Sequence, residues 1–110
     1  MDKFKTYLGE FEELVLLAIL VMKENAYGVT IRQLLEKETG RSVSYGALYT
    51  TLDRLERKGY VSSMQGGATA TRGGRAKRFF KLEGLGRQVL KETQAARANM
   101  LARLDLAVEY

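Results

Sequence analysis

Residues 66–82 read GGATATRGGRAKRFFKL, and neither a stable helix nor a buried core can be built through the first half of that stretch. Its four glycines each cost about 1 kcal/mol relative to alanine in a helix interior, and small polar residues fill the space between them. The stretch carries five basic residues and no acid. YVSSM precedes it and RFFKL closes it, both with the β-branched or aromatic residues that suit strands. Two short strands joined by a soft cationic loop make a hairpin, and the rest of the chain must be arranged around it.

Before the hairpin the pattern is helical three times. Phe11 to Met22 is apolar on nearly every side, as expected of a central, packed helix, and Glu10, Glu12 and Glu13 suit the positive end of its dipole. KENAYG breaks it. A second helix is predicted from about Val29 to Glu38, with Ile31, Leu34 and Leu35 facing inward and Gly40 as its stop. Ser44 is a good cap for a third, on which Tyr45, Leu48, Leu52 and Leu55 make the expected buried stripe. Ala47, Thr50, Thr51, Arg54 and Lys58 are expected on the opposite face, small, hydroxylic and basic, and Gly59 ends the helix.

After the hairpin a long helix is expected from about Leu85 to Val108. Leu82, Leu85, Val89, Thr93, Ala96, Met100, Leu104 and Ala107 fall on one stripe at 100° per residue. The order helix, helix, helix, strand, loop, strand, long helix predicts a mainly α fold with a small β-hairpin, a winged helix-turn-helix plus a long C-terminal helix. Residues 1–83 would form the helix-turn-helix unit and 84–110 the C-terminal helix, within one compact unit. In such an arrangement the third helix enters the major groove and the wing lies on the flanking backbone. Strand alternation puts Phe80 on the same inward face as Leu82.

Charge supports that direction. The chain of 110 residues has a net charge of +5, and the excess is localised: residues 41–91 hold eleven bases against three acids, whereas the flanks are slightly acidic. A polyanion is the natural partner of such a surface. Arg72, Arg75, Lys77 and Arg78 would supply the wing's cations for phosphates or a narrow minor groove. Arg54 lies late enough on its helix to bond a phosphate or a neighbouring acid rather than a base, and Arg32 suits either local support or a phosphate.

Several functions are disfavoured. The chain has no cysteine and no histidine, which removes disulfides, zinc sites built on those ligands, thiol nucleophiles and the usual general base. No cofactor or metal is expected, and no enzyme. LVLLAILVM, the longest apolar run, has nine residues where a bilayer span needs about 20. Glutamates stand where a signal peptide would be basic, so a cytoplasmic protein with no membrane partner is expected.

At the level of whole motifs the chain resembles the PadR family of bacterial transcriptional regulators. The resemblance rests on GEFEELVLLAIL, AYGVTIRQLLEKETGRSVSYGALYTTLDRLERKGYV and GGRAKRFFKL, in that order, over about residues 9 to 90. Its most specific part is the run from Gly46 to Gly59. The resemblance implies a homodimer binding an inverted-repeat operator in double-stranded DNA, usually as a repressor. The short tail implies the subclass with a single C-terminal dimerisation helix. Tyr49 matches a phosphate-contacting tyrosine of the recognition helix, and Ser44, Ala47 and Thr50 match positions near DNA, with Tyr45 and Arg54 beside them. Gly74, Arg75 and Lys77 match the wing pattern, with Ala76 where proline is often found, and Glu83-Gly84 departs from the usual start of the last helix. The dimer seam is expected at Leu85, Val89, Ala96, Met100 and Leu104. The resemblance also leaves room for a small aromatic or lipophilic effector between the helices of the dimer, without identifying one.

Two other classes compete. A winged helix can be recruited to bind an acidic protein through its basic face, although here that face has no large apolar patch. An enzyme would need clustered carboxylates in a pocket, which the sequence does not suggest.

Overall fold

The computed structural model describes residues 7–66 and 77–104. Helix α1 spans Glu10–Met22 and is followed by a single 3-10 turn, Lys23–Asn25. Helices α2 (Gly28–Thr39) and α3 (Tyr45–Arg57) follow, then strands β1 (Val61–Gly66) and β2 (Lys77–Leu82), then helix α4 (Gly84–Leu101). The strands pair antiparallel with Val61 opposite Leu82 and Gly66 opposite Lys77. The fold class is the one the sequence predicts, a winged helix-turn-helix with a C-terminal helix.

Helix α1 is central, touching α2, α3, α4 and β2. Val15, Leu16, Ala18 and Ile19 are buried on it, against Ile31 and Leu35 of α2 and Leu48, Leu52 and Leu55 of α3. Its start is fixed by charge: Glu12 accepts the Gly9 amide at 3.1 Å, and Glu10, Glu12 and Glu13 occupy the first turn. Helix α2 stops at Gly40, whose φ of 73° is the left-handed conformation foreseen for that glycine. The hairpin is stitched to the rest from its inner side, where Tyr27 bridges Phe79 and the Phe80 amide donates to the Ala26 carbonyl at 2.8 Å. Phe80 and Leu82 are both buried, as alternation requires.

Helix α4 leans on the N-terminal end of α1. Glu13, only 3% exposed, receives Arg97 at 2.8 Å, and the Thr93 hydroxyl accepts the Leu8 amide at 3.1 Å. One expectation is corrected here: the helix ends at Leu101, not near Val108. Of the two places given to Leu82, the strand and the stripe of the last helix, the structure shows the strand, where the core buries it. The irregular LEGLG start is also accounted for: Glu83 takes the N-cap position, and its carboxylate accepts from the Ser62 hydroxyl of β1 instead of capping α4.

Candidate nucleic-acid interface

Helix α3 begins where a sequence reader would begin it. The Ser44 hydroxyl accepts the Ala47 amide at 3.1 Å, satisfying one of the four amides a helix start leaves open. The segment before it is locked from α2: Arg32 donates to the Val43 carbonyl at 2.6 Å, and Glu36 accepts the Val43 amide at 2.7 Å. Arg32 thus supports the turn of the helix-turn-helix, and its guanidinium also lies 4.6 Å from the centre of the Tyr45 ring.

The first half of α3 faces solvent with short side chains. Ser44, Tyr45, Gly46, Ala47 and Thr50 are all exposed. Tyr45 was expected in the buried stripe and Thr51 outside it, yet Tyr45 is 40% exposed and Thr51 only 5%. At 100° per residue Thr51 lies as near to Leu48 as Tyr45 does, on the other side. The core takes the Thr51 side, while Tyr45, in the opening turn, is taken up by Arg32. Tyr49 is half-buried, stacked 6.3 Å from Tyr45. Its hydroxyl is lodged over the first turn of α2, so close that a Cβ at Gly28 would lie 2.0 Å from it. The phosphate-contact expectation for Tyr49 therefore concerns a hydroxyl held at the N-terminal end of α2.

The second half of α3 is committed within the protomer. Arg54 donates to Glu12 of α1 at 3.0 Å and Lys58 reaches the same oxygen at 3.3 Å. Partial burial pushes the Glu12 carboxyl up, but the hydrogen bonds from Arg54, the Gly9 amide and Lys58 outweigh it and hold it below the ordinary carboxylate range. Of the two roles open to Arg54, the structure shows the neighbouring acid. Arg78, expected among the wing's DNA-facing cations, is likewise turned inward. It donates to Asp53 at 3.0 Å, to Glu56 at 2.6 Å and to the Ser63 hydroxyl at 3.1 Å. The Arg78 hydrogen bond is the main cause of a lowered Glu56 carboxyl. Burial works against the Arg78 charge, yet its two carboxylates raise its affinity for the proton.

Lys77 is the wing cation that the described residues leave exposed. Its ammonium sits 4.5 Å from the Tyr27 ring centre and 3.4 Å from the Tyr27 hydroxyl, and Tyr27 in turn packs edge-on against Phe79 at 5.3 Å. Tyr27 belongs to this surface and was missed from sequence, because nothing local to AYG ties it to a lysine 50 positions later. Arg72, Gly74 and Arg75 lie outside the described residues.

The expected dimer seam divides. Leu85, Met100 and Leu104 are 53%, 72% and 45% exposed, and Ala96 is half-buried. Val89 is part of the protomer's own core and is corrected accordingly. Apart from these elements, a groove of about 690 Å³ runs behind the hairpin, lined among others by Ile19, Leu20, Met64, Phe79, Lys81 and Arg87. Among the described residues no helix is long and apolar enough to cross a membrane.

A helix-turn-helix with a β-hairpin packed at its side defines the winged-helix class. Within it, residues 16–92 match the profile of the transcriptional regulator PadR-like family. A PadR-like transcription factor from Bacteroides fragilis superposes with a TM-score of 0.68 at 30% identity, over 84% of each chain. Two more distant structures share the fold alone. One is a PadR family transcription regulator from Clostridium difficile, with a TM-score of 0.65 at 23% identity over 84% of this chain and 92% of that one. The other is the circadian clock associated protein Pex from Anabaena, at 0.58 and 18%, over 94% and 90%. No curated protein matches the chain. The chain belongs to the PadR-like family of transcriptional regulators, which is not a family of enzymes.

Proposed function

We propose that the protein is a sequence-specific DNA-binding repressor that acts as a homodimer on an inverted-repeat operator. The observation that carries this reading is the exposed first half of α3. Ser44, Ala47 and Thr50 present small and hydroxyl-bearing groups, and the exposed Tyr45 beside them lies against Arg32. Short side chains at the start of a recognition helix let its backbone approach base edges closely. Lys77 and Tyr27 stand at the hairpin end of the same surface, where phosphates would supply affinity.

Dimerisation is supported by the far end of α4. Met100, Leu101 and Leu104 lie beyond the residues that α4 buries against α1, and three exposed large apolar side chains on one helical end call for a covering surface. A two-fold dimer would place two recognition helices about one turn of DNA apart. The groove behind the hairpin, with an apolar lining and Lys23, Lys81 and Arg87 around it, has a volume that suits a small lipophilic effector.

Fluorescence-anisotropy titration against the duplex upstream of the protein's own gene, beside a scrambled duplex at two salt concentrations, tests the reading. The expected result is tight binding to the upstream duplex alone, at two protomers per site. Weak binding to both duplexes, erased equally by salt, would count against a specific operator there and favour an acidic protein as the partner of the basic face.

A further inference from the structure

We propose that Arg78 is a positioning residue: it clamps the hairpin to the recognition helix and so fixes the spacing at which the two can engage DNA together. The inference rests on the DNA-binding function proposed above. Arg78 extends from β2, while the exposed Asp53 and the half-buried Glu56 lie on one flank of α3. The guanidinium gives Nη1 to Asp53, Nη2 to Glu56 and Nε to Ser63 of β1. Ser63, having accepted from Arg78, donates its own proton to Glu56 at 2.9 Å, which closes the ring of contacts. Beneath them the Phe80 ring lies 4.8 Å from the guanidinium carbon.

Single exposed ion pairs contribute little, because solvent screens them and long side chains lose freedom in making them. This cluster differs in geometry. A planar fork holds two acids on one helix and a hydroxyl on the neighbouring strand, and all the Arg78 side-chain nitrogens are used. Both strands of the hairpin are thereby tied to α3 at a point beyond the turn that joins them. A duplex whose groove width does not match that fixed spacing cannot satisfy helix and wing at once, so the clamp converts DNA shape into a difference in affinity.

A clamp and a phosphate contact make opposite predictions for the acids. Removing a negative charge beside a polyanion ordinarily tightens binding. If Asp53 holds the clamp, Asp53→Asn weakens operator binding instead, by about threefold to tenfold. Arg78→Ala weakens it by about tenfold with the salt dependence unchanged, whereas loss of a phosphate contact would lower the slope by about 0.9. Arg78→Lys keeps the charge but cannot serve Asp53, Glu56 and Ser63 together, so it stays close to the alanine variant; a phosphate contact would be largely rescued by lysine.

Thermal unfolding run alongside shows which variants are folded, and Asp53→Asn or Arg78→Lys carries the test if Arg78→Ala is not. A DNA-free arm separates the two levels of inference. The chain has no cysteine, so nitroxides placed by Arg57→Cys and Lys81→Cys report the distance from α3 to β2. The clamp predicts a narrow distance distribution that broadens when Asp53→Asn is added. An unchanged distribution, a tighter-binding Asp53→Asn or a lysine variant with full affinity would overturn it. A wild-type protein that binds no duplex, with a distribution that still broadens, would overturn the DNA-binding function while leaving the clamp itself in place.

Discussion

The two halves of α3 use their polar residues in opposite ways. In the first half Ala47 and Thr50 project into solvent, Ser44 caps its own helix, and Tyr45 lies against Arg32 of α2. In the second, Asp53, Arg54, Glu56 and Lys58 are each tied to a residue of another element, through Arg78 of β2 or Glu12 of α1. In the proposed function the first half meets DNA and the second fixes the orientation of the helix. A count of basic residues along the chain does not distinguish these roles, since Arg54 and, from β2, Arg78 are both engaged in ion pairs within the protomer.

The sharpest way to break this division is to place an acid in the free half. Thr50→Glu sets a negative charge where a duplex would approach, at an exposed position outside the core. It is expected to reduce operator affinity by more than a hundredfold while leaving the unfolding midpoint within experimental error. Anisotropy titration and thermal melting of the same preparation check both halves of the statement. A comparable loss of stability would mean that the first half of α3 is also structural.

A smaller effect is expected where the two halves meet α2. Gly28→Ala drives a methyl into the space of the Tyr49 hydroxyl and ring, where Cβ would lie 2.0 Å from the oxygen and 2.8 Å from the ring carbon that bears it. Overpacking of this kind costs about 1–3 kcal/mol. Adding Tyr49→Phe removes the nearest clashing atom, so the double variant should recover part of the loss, as a chemical-denaturation cycle over the four proteins would show. Strict additivity would mean that the backbone of α2, rather than Tyr49, absorbs the methyl.

Much of this architecture was legible in sequence because it rests on local signals. The helix starts at Glu10 and Ser44, the stop at Gly40 and the inward face of Phe80 and Leu82 each follow from residues within a few positions of one another. Long-range pairing was not legible. Nothing near Arg54 announces Glu12, 42 positions earlier, and nothing near Arg78 announces Asp53, 25 positions earlier. The periodicity of α4 had the same limit: one stripe at 100° per residue contains both Val89, which the protomer buries, and Met100, which it leaves exposed. Periodicity gives the face but not how far along the helix the body of the protein extends.

Glu12 provides the finest test, because it opposes stability and DNA affinity in a single residue. Its carboxylate holds Arg54 and Lys58, so Glu12→Gln releases two cations of α3 and removes a negative charge from the same surface. Operator affinity should rise severalfold, with a salt slope steeper by up to about one for each cation that then reaches a phosphate. Stability should fall by about 1 kcal/mol, since a partly exposed pair contributes modestly. The pH dependence follows from the direction of the shift. Folding lowers the Glu12 carboxyl below its ordinary 4.5, so the native state binds its proton less readily than the unfolded chain. The contribution is fully present above 4.5 and is lost as the pH falls through the depressed native value. Wild type and Glu12→Gln should therefore differ in denaturation midpoint at pH 7 and converge as the pH falls through the depressed native value of Glu12, apart from the share that Glu56 loses in both proteins for the same reason. An amide oxygen can accept the Gly9 N–H as well, so a gap that persists at low pH would mean that the effect of Glu12 comes neither from that bond nor from the charge that holds Arg54 and Lys58.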